Sequence, residues 1–95
     1  MEKSIFSNEY RLFLRLLKQT RESAGLTQEQ VATSIGQTQS FVSKCERGER
    51  RLDVVEVRAF CSAIGVSFPL LVSQFEKQLK RGKPRTLGGT RSVAK

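Results

Sequence analysis

Ninety-five residues suffice for one small domain with a modest core, and 38% hydrophobic against 27% charged residues is the balance of a globular protein. No apolar run is long enough to span a bilayer, Met1 to Asn8 lacks the pattern of a secretory leader, and no histidine is present to act as general base or metal ligand; a cytoplasmic protein without membrane attachment, metal, cofactor or catalytic activity is expected. The net charge of +8 points to an anionic partner only for part of the chain: residues 1–76 hold ten Lys or Arg and nine Asp or Glu, whereas residues 77–95 hold seven Lys or Arg and no acid.

Apolar residues recur at helical spacing, with no strand-like alternation and no internal repeat, and Gly25, Gly36, Gly48 and Gly65 fall where helices should end. The first helix is expected over residues 8–24, with Tyr10, Phe13, Leu14, Leu17 and Ala24 near one stripe and Leu12 and Leu16 widening it. The second runs over about 28–35. Thr27 is its N-cap, Gln30 completes a capping box, and Val31, Ala32 and Ile35 face inward. A turn of about four residues leads to a third helix over 39–47, capped by Thr38, with Val42 and Cys45 inward. The fourth follows Asp53, which forms a second capping box with Glu56; Val54, Val57, Phe60, Cys61 and Ile64 make its apolar face. Ser67 caps a fifth helix that has Pro69 in its first turn and Leu70, Leu71 and Phe75 in the core. The pattern fades near Lys80. The expected architecture is all-α: a five-helix domain over 8–80 and a flexible, basic, disordered C-terminal tail over 81–95. Cys45 and Cys61 lack CxxC spacing and read as small buried core residues.

The third helix carries the most informative surface. Gln39, Ser40, Ser43, Lys44 and Arg47 fall opposite Val42 and Cys45, and no acid interrupts them. Glutamine can pair with adenine N6 and N7, lysine with guanine O6 and N7, and serine with either donor or acceptor. A solvated helix face is the plain alternative. Three neighbouring features favour DNA, the first being the turn of about four residues, which suits a near-perpendicular crossing of the second and third helices. Thr27 and Gln28 stand at the positive end of the second helix, where an anion is stabilised. The loop from Arg47 through Arg50 and Arg51 offers three guanidinium groups to flanking phosphates, although Glu49 offsets part of that charge.

These residues resemble the phage-repressor and Cro-like helix-turn-helix family, also called the XRE family. The resemblance covers about Leu17 to Leu71. It rests on Arg21 with Gly25-Leu26-Thr27-Gln28, Val31-Ala32, Ile35-Gly36, Gln39-Ser40, Val42-Ser43, Glu46-Arg47-Gly48 and Ile64-Gly65-Val66. It implies a lambda-repressor-like bundle in which Gln39, Ser40, Ser43 and Lys44 contact bases. Thr27, Gln28, Thr38, Arg47, Arg50 and Arg51 would contact phosphate. Arg21 and Glu46 would form an ion pair between the first and third helices, either buried or an exposed pair of little consequence. Phe41 either covers the edge of the core or meets a thymine methyl group or a sugar. Where the family often has proline, this chain has Leu52.

The expected function is therefore sequence-specific double-stranded DNA binding by a transcriptional regulator, a repressor in preference to an activator, acting as a homodimer. The fifth helix (Val66, Leu70, Leu71, Phe75) and the first are its candidate pairing surfaces, unless these residues only complete the monomer core. Rival readings are an antitoxin that represses its own promoter and binds a toxin, and a protein-interaction adaptor without DNA binding. The tail either tracks phosphates or only adds solubility.

Overall fold

A computed structural model describes residues 7–82 of the chain. They form α1 (Asn8–Ser23), α2 (Gln28–Ile35), α3 (Gln39–Arg47), α4 (Val54–Ile64) and α5 (Phe68–Gly82), and no strand occurs among the described residues.

Polar side chains set the helix starts. The Thr27 hydroxyl accepts the Gln30 amide at 3.1 Å while Gln30 Oε1 accepts the Thr27 N–H at 2.8 Å, so both halves of the capping box form. Asp53 and Glu56 do the same at the start of α4. Ser7 caps α1 and Thr38 caps α3 through the amides of Tyr10 and Phe41. The turn between α2 and α3 is Gly36, Gln37 and Thr38, three residues where about four were expected. Gly36 takes φ +73°, a left-handed conformation costly for residues with a Cβ, and Gln37 N–H then bonds the carbonyl of Ala32 at 2.8 Å.

The core gathers one stripe from each helix: Leu14, Leu16 and Leu17 of α1, Val31 and Ala32 of α2, Val42 and Cys45 of α3, Val57, Phe60, Cys61 and Ile64 of α4, and Leu71 of α5. α2 and α3 pack on each other, α2 also on α4 and α3 also on α1, while α5 closes the bundle against α1 and α4. Phe13 and Phe75 meet edge to face, with centroids 5.2 Å apart. Both cysteines are free and buried, and burial raises the pKa of each thiol.

Further expectations change. Val54, expected on the inner face of α4, is 64% exposed: it borders an open groove that it shares with Val57, Phe13, Val72 and Phe75, and nothing covers it there among the described residues. Ala24 follows the end of α1 and is exposed. Leu71 is fully buried and Val66, just before α5, and Phe75 pack on the core, so of the four residues offered as a pairing surface only Leu70 remains open; at 50% exposed it is not the core residue expected. α5 continues through Arg81 and Gly82, past the expected boundary; Lys80 and Arg81 in its last turn suit the negative end of the helix dipole. The remainder of the expected basic tail, residues 83–95, lies outside the described residues.

Candidate nucleic-acid interface

α3 is clearly two-sided. Val42 and Cys45 are fully buried, whereas Gln39, Ser40, Lys44 and Arg47 are exposed and Ser43 is half-buried. Phe41 is half-buried and packed against the core, in keeping with cover of the core edge.

A chain of polar side chains sets the height and orientation of this face. Arg21 grips Glu46 with two prongs, Nε to Oε2 at 2.6 Å and Nη2 to Oε1 at 3.1 Å. The side chains are only 8% and 3% exposed, so this is a buried pair, and the Glu46 hydrogen bond raises the pKa of Arg21. Arg21 Nη1 also donates to the Leu26 carbonyl at 2.7 Å, tying down the α1–α2 loop. Gln28 Nε2 donates to Glu46 Oε1 at 2.9 Å, and Gln39 Nε2 donates to Gln28 Oε1 at 2.7 Å. An ionised carboxylate only accepts, so Gln28 must turn its nitrogen toward Glu46 and its oxygen toward Gln39. Gln39 must then turn a nitrogen toward Gln28. A buried charge thus orients the first side chain of the exposed face.

The loop behaves differently from a simple set of free cations. Arg47 pairs with Glu49 through Nε–Oε2 at 2.8 Å and Nη2–Oε1 at 3.2 Å, and its Nη1 donates to the Ser43 hydroxyl. Both partners are exposed, and Arg47 holds the Glu49 carboxyl below the usual carboxylate range. Arg50 donates to both oxygens of Glu56, at 3.0 and 2.7 Å, and to the Arg51 carbonyl at 2.9 Å, and lies 4.7 Å above the Phe41 ring. Its guanidinium pins the loop to the capping box of α4. Arg51 stacks 4.6 Å from the centre of the Tyr10 ring. Leu52 explains its own departure from the family pattern: its N–H donates to the Tyr10 hydroxyl at 3.0 Å, a bond proline lacks the hydrogen to make. Sequence reasoning missed Tyr10 and the second role of Glu56. The capping-box signature announced Glu56's backbone bond but not its grip on Arg50.

The chain matches a family model described as "Helix-turn-helix domain" over residues 12–73. The chain belongs to the helix-turn-helix family. Within it, the pair that gives the family its name is α2 and α3, joined at Gly36. The helix-turn-helix chain is 38% identical over 73 residues to an uncharacterised HTH-type transcriptional regulator of Sinorhizobium fredii, covering 77% of this chain and 84% of the relative. It is similar to an XRE-family like protein from Pseudomonas syringae pv. tomato, with 45% identity, a TM-score of 0.73, and coverage of 80% of this chain and 93% of that one. The restriction-modification controller protein C.Esp1396I shares the fold at 22% identity and a TM-score of 0.70, over 77% of this chain and 96% of that one; it was solved as a tetramer with its natural 35 base-pair operator. The family and these relatives make this an XRE-like helix-turn-helix protein of the DNA-binding regulator type. No single helix among the described residues is long and apolar enough to cross a membrane.

Proposed function

We propose that this chain is a sequence-specific double-stranded DNA-binding repressor that sets α3 in the major groove. The observation that carries the reading is the acid-free exposed face of Gln39, Ser40 and Lys44 on a helix anchored by the buried Arg21–Glu46 pair, with Gln39 oriented by Gln28. With one N–H of Gln39 given to Gln28, its other N–H and its oxygen match adenine N7 and N6. Gln28 gives one N–H to Glu46 and has a second to offer a phosphate. Lys44 reaches guanine, and Ser40 and Ser43 either donate or accept. Thr27 and Thr38 sit at the positive ends of α2 and α3, which favour phosphate. Arg47 at the end of that face and Arg51 in the loop that follows are the guanidinium groups offered to phosphate, whereas Arg50 acts mainly through the loop it braces.

Repression is the simplest outcome, since a domain seated on a promoter blocks it without a further contact surface. One reading helix gives limited specificity, and two related by a two-fold axis reach half-sites about 34–36 Å apart. The exposed Val54, Val55, Leu70 and Val72 supply apolar surface for such a homodimer. The tetrameric operator complex of the controller protein supports oligomeric binding for this fold. The test is selection from a random duplex library at stated salt. Enrichment of a palindromic motif supports a dimeric reader; recovery of no motif, with no retention of duplex, refutes DNA binding and favours a protein-interaction role.

A further inference from the structure

The acid-free face of α3 ends at Arg47, and there the chain folds a carboxylate back onto it. Gly48, at φ +83°, closes α3: its N–H bonds the Cys45 carbonyl at 3.1 Å and the Glu49 N–H bonds the Lys44 carbonyl at 2.9 Å. Glu49 is thereby brought back to Arg47, whose Nε and Nη2 it accepts with both oxygens, and into the field of Lys44.

A structural purpose for this carboxylate is poor. It stands at the negative end of α3, where the helix dipole disfavours it, and both partners are 54% exposed, where an ion pair adds little to folding. The Arg50–Glu56 pair is different, because Glu56 also accepts the Asp53 N–H and so belongs to the start of α4. What Glu49 does occupy is the two-pronged edge of a guanidinium that would otherwise take a phosphate.

Resting on the reading of α3 as the DNA-reading helix, we propose that Glu49 is a specificity-determining residue, an internal stand-in for phosphate on Arg47. On any duplex a phosphate must displace it. On a non-matching duplex nothing else holds the backbone in place, and Arg47 stays with Glu49. On the matching sequence the base contacts of α3 fix the backbone against Arg47, the phosphate is presented at high effective concentration, and the exchange occurs. Arg47 then strengthens binding chiefly where the bases are right.

The test measures affinity against salt for the full chain, on the duplex enriched from the random library and on a scrambled duplex. The variants are E49Q, R47Q, R47Q/E49Q and E76Q; Glu76 is an exposed acid of α5, so E76Q controls for loss of one negative charge. On the scrambled duplex E49Q should steepen the slope of log affinity against log salt by about 0.9, so that between about 50 and 200 mM salt it loses roughly 3.5-fold more affinity than the wild type. On the enriched duplex the slope should stay as in the wild type, and discrimination between the two duplexes should fall several-fold. The effect should be absent in the R47Q background and in E76Q. An unmoved slope on the scrambled duplex, equal steepening on both, or persistence without Arg47 overturns the inference alone, provided the wild type discriminates the duplexes. A wild type that binds no duplex overturns the DNA reading and this inference with it.

Discussion

Replacing Glu46 by alanine tests the frame on which the reading face stands. The change removes the carboxylate that accepts Arg21 Nε at 2.6 Å, Arg21 Nη2 at 3.1 Å and Gln28 Nε2 at 2.9 Å. Arg21, 8% exposed at its side chain, keeps the Leu26 carbonyl and a distant Glu22 at 3.9 Å. Stranding one partner of a buried pair costs about 3–5 kcal/mol. A domain of this size has roughly 5–15 kcal/mol in all, and its Tm should fall by on the order of 12–40 °C. Urea unfolding followed by far-ultraviolet circular dichroism gives the value. The double variant R21M/E46L removes both charges together and should recover most of the stability, since apolar replacement of a whole buried pair is often neutral. Its affinity for the enriched duplex should nevertheless stay low, because Gln28 has lost the acceptor that orients it and Gln39. A cost below about 1 kcal/mol for E46A, the value of a surface pair, would refute the reasoning, as would full DNA affinity in R21M/E46L.

The bond between the Tyr10 hydroxyl and the Leu52 N–H leads to a second expectation: Y10F should lower stability by about 1 kcal/mol, by loss of one partly buried hydrogen bond, and L52P should lower it at least as much in the same unfolding assay. The Glu56 carboxyl is held below the usual carboxylate range, first by Arg50 and then by the Asp53 N–H. Its folded pKa is lower than its unfolded one, so its contribution is present at neutral pH and is lost as pH falls through the folded value. Unfolding measured from about pH 7 down to about pH 3 should therefore show a smaller acid-induced loss in E56Q than in the wild type, and an identical loss in both would contradict the assignment.

What was readable in the sequence is what local spacing encodes. Thr27 with Gln30, Asp53 with Glu56, and the closing glycines act over three or four residues, so helix starts and stops could be taken from the letters. The apolar stripes gave the core for the same reason. Val54 escaped because a helical wheel reports direction, not whether a neighbouring element covers the side chain. The side-chain frame of the site was less accessible. The Tyr10–Leu52 bond spans 42 residues, the Gln28–Glu46 bond 18 and the Arg50–Glu56 pair six, and each depends on how loops and helices meet in space. Arg50 illustrates the consequence: by composition it is one more cation for phosphate, and only the structure shows that it also lies over Phe41 and grips Glu56.

The central claim is that the exposed face of α3 reads bases. The most direct measurement is the affinity of Q39A and K44A, at one stated salt, for the enriched duplex and for its scrambled counterpart. Each variant should lose about 1–3 kcal/mol on the enriched duplex. On the scrambled duplex Q39A should change little, and K44A should lose at most the share of one phosphate contact. Wild-type affinity of both variants for the enriched duplex would contradict the account.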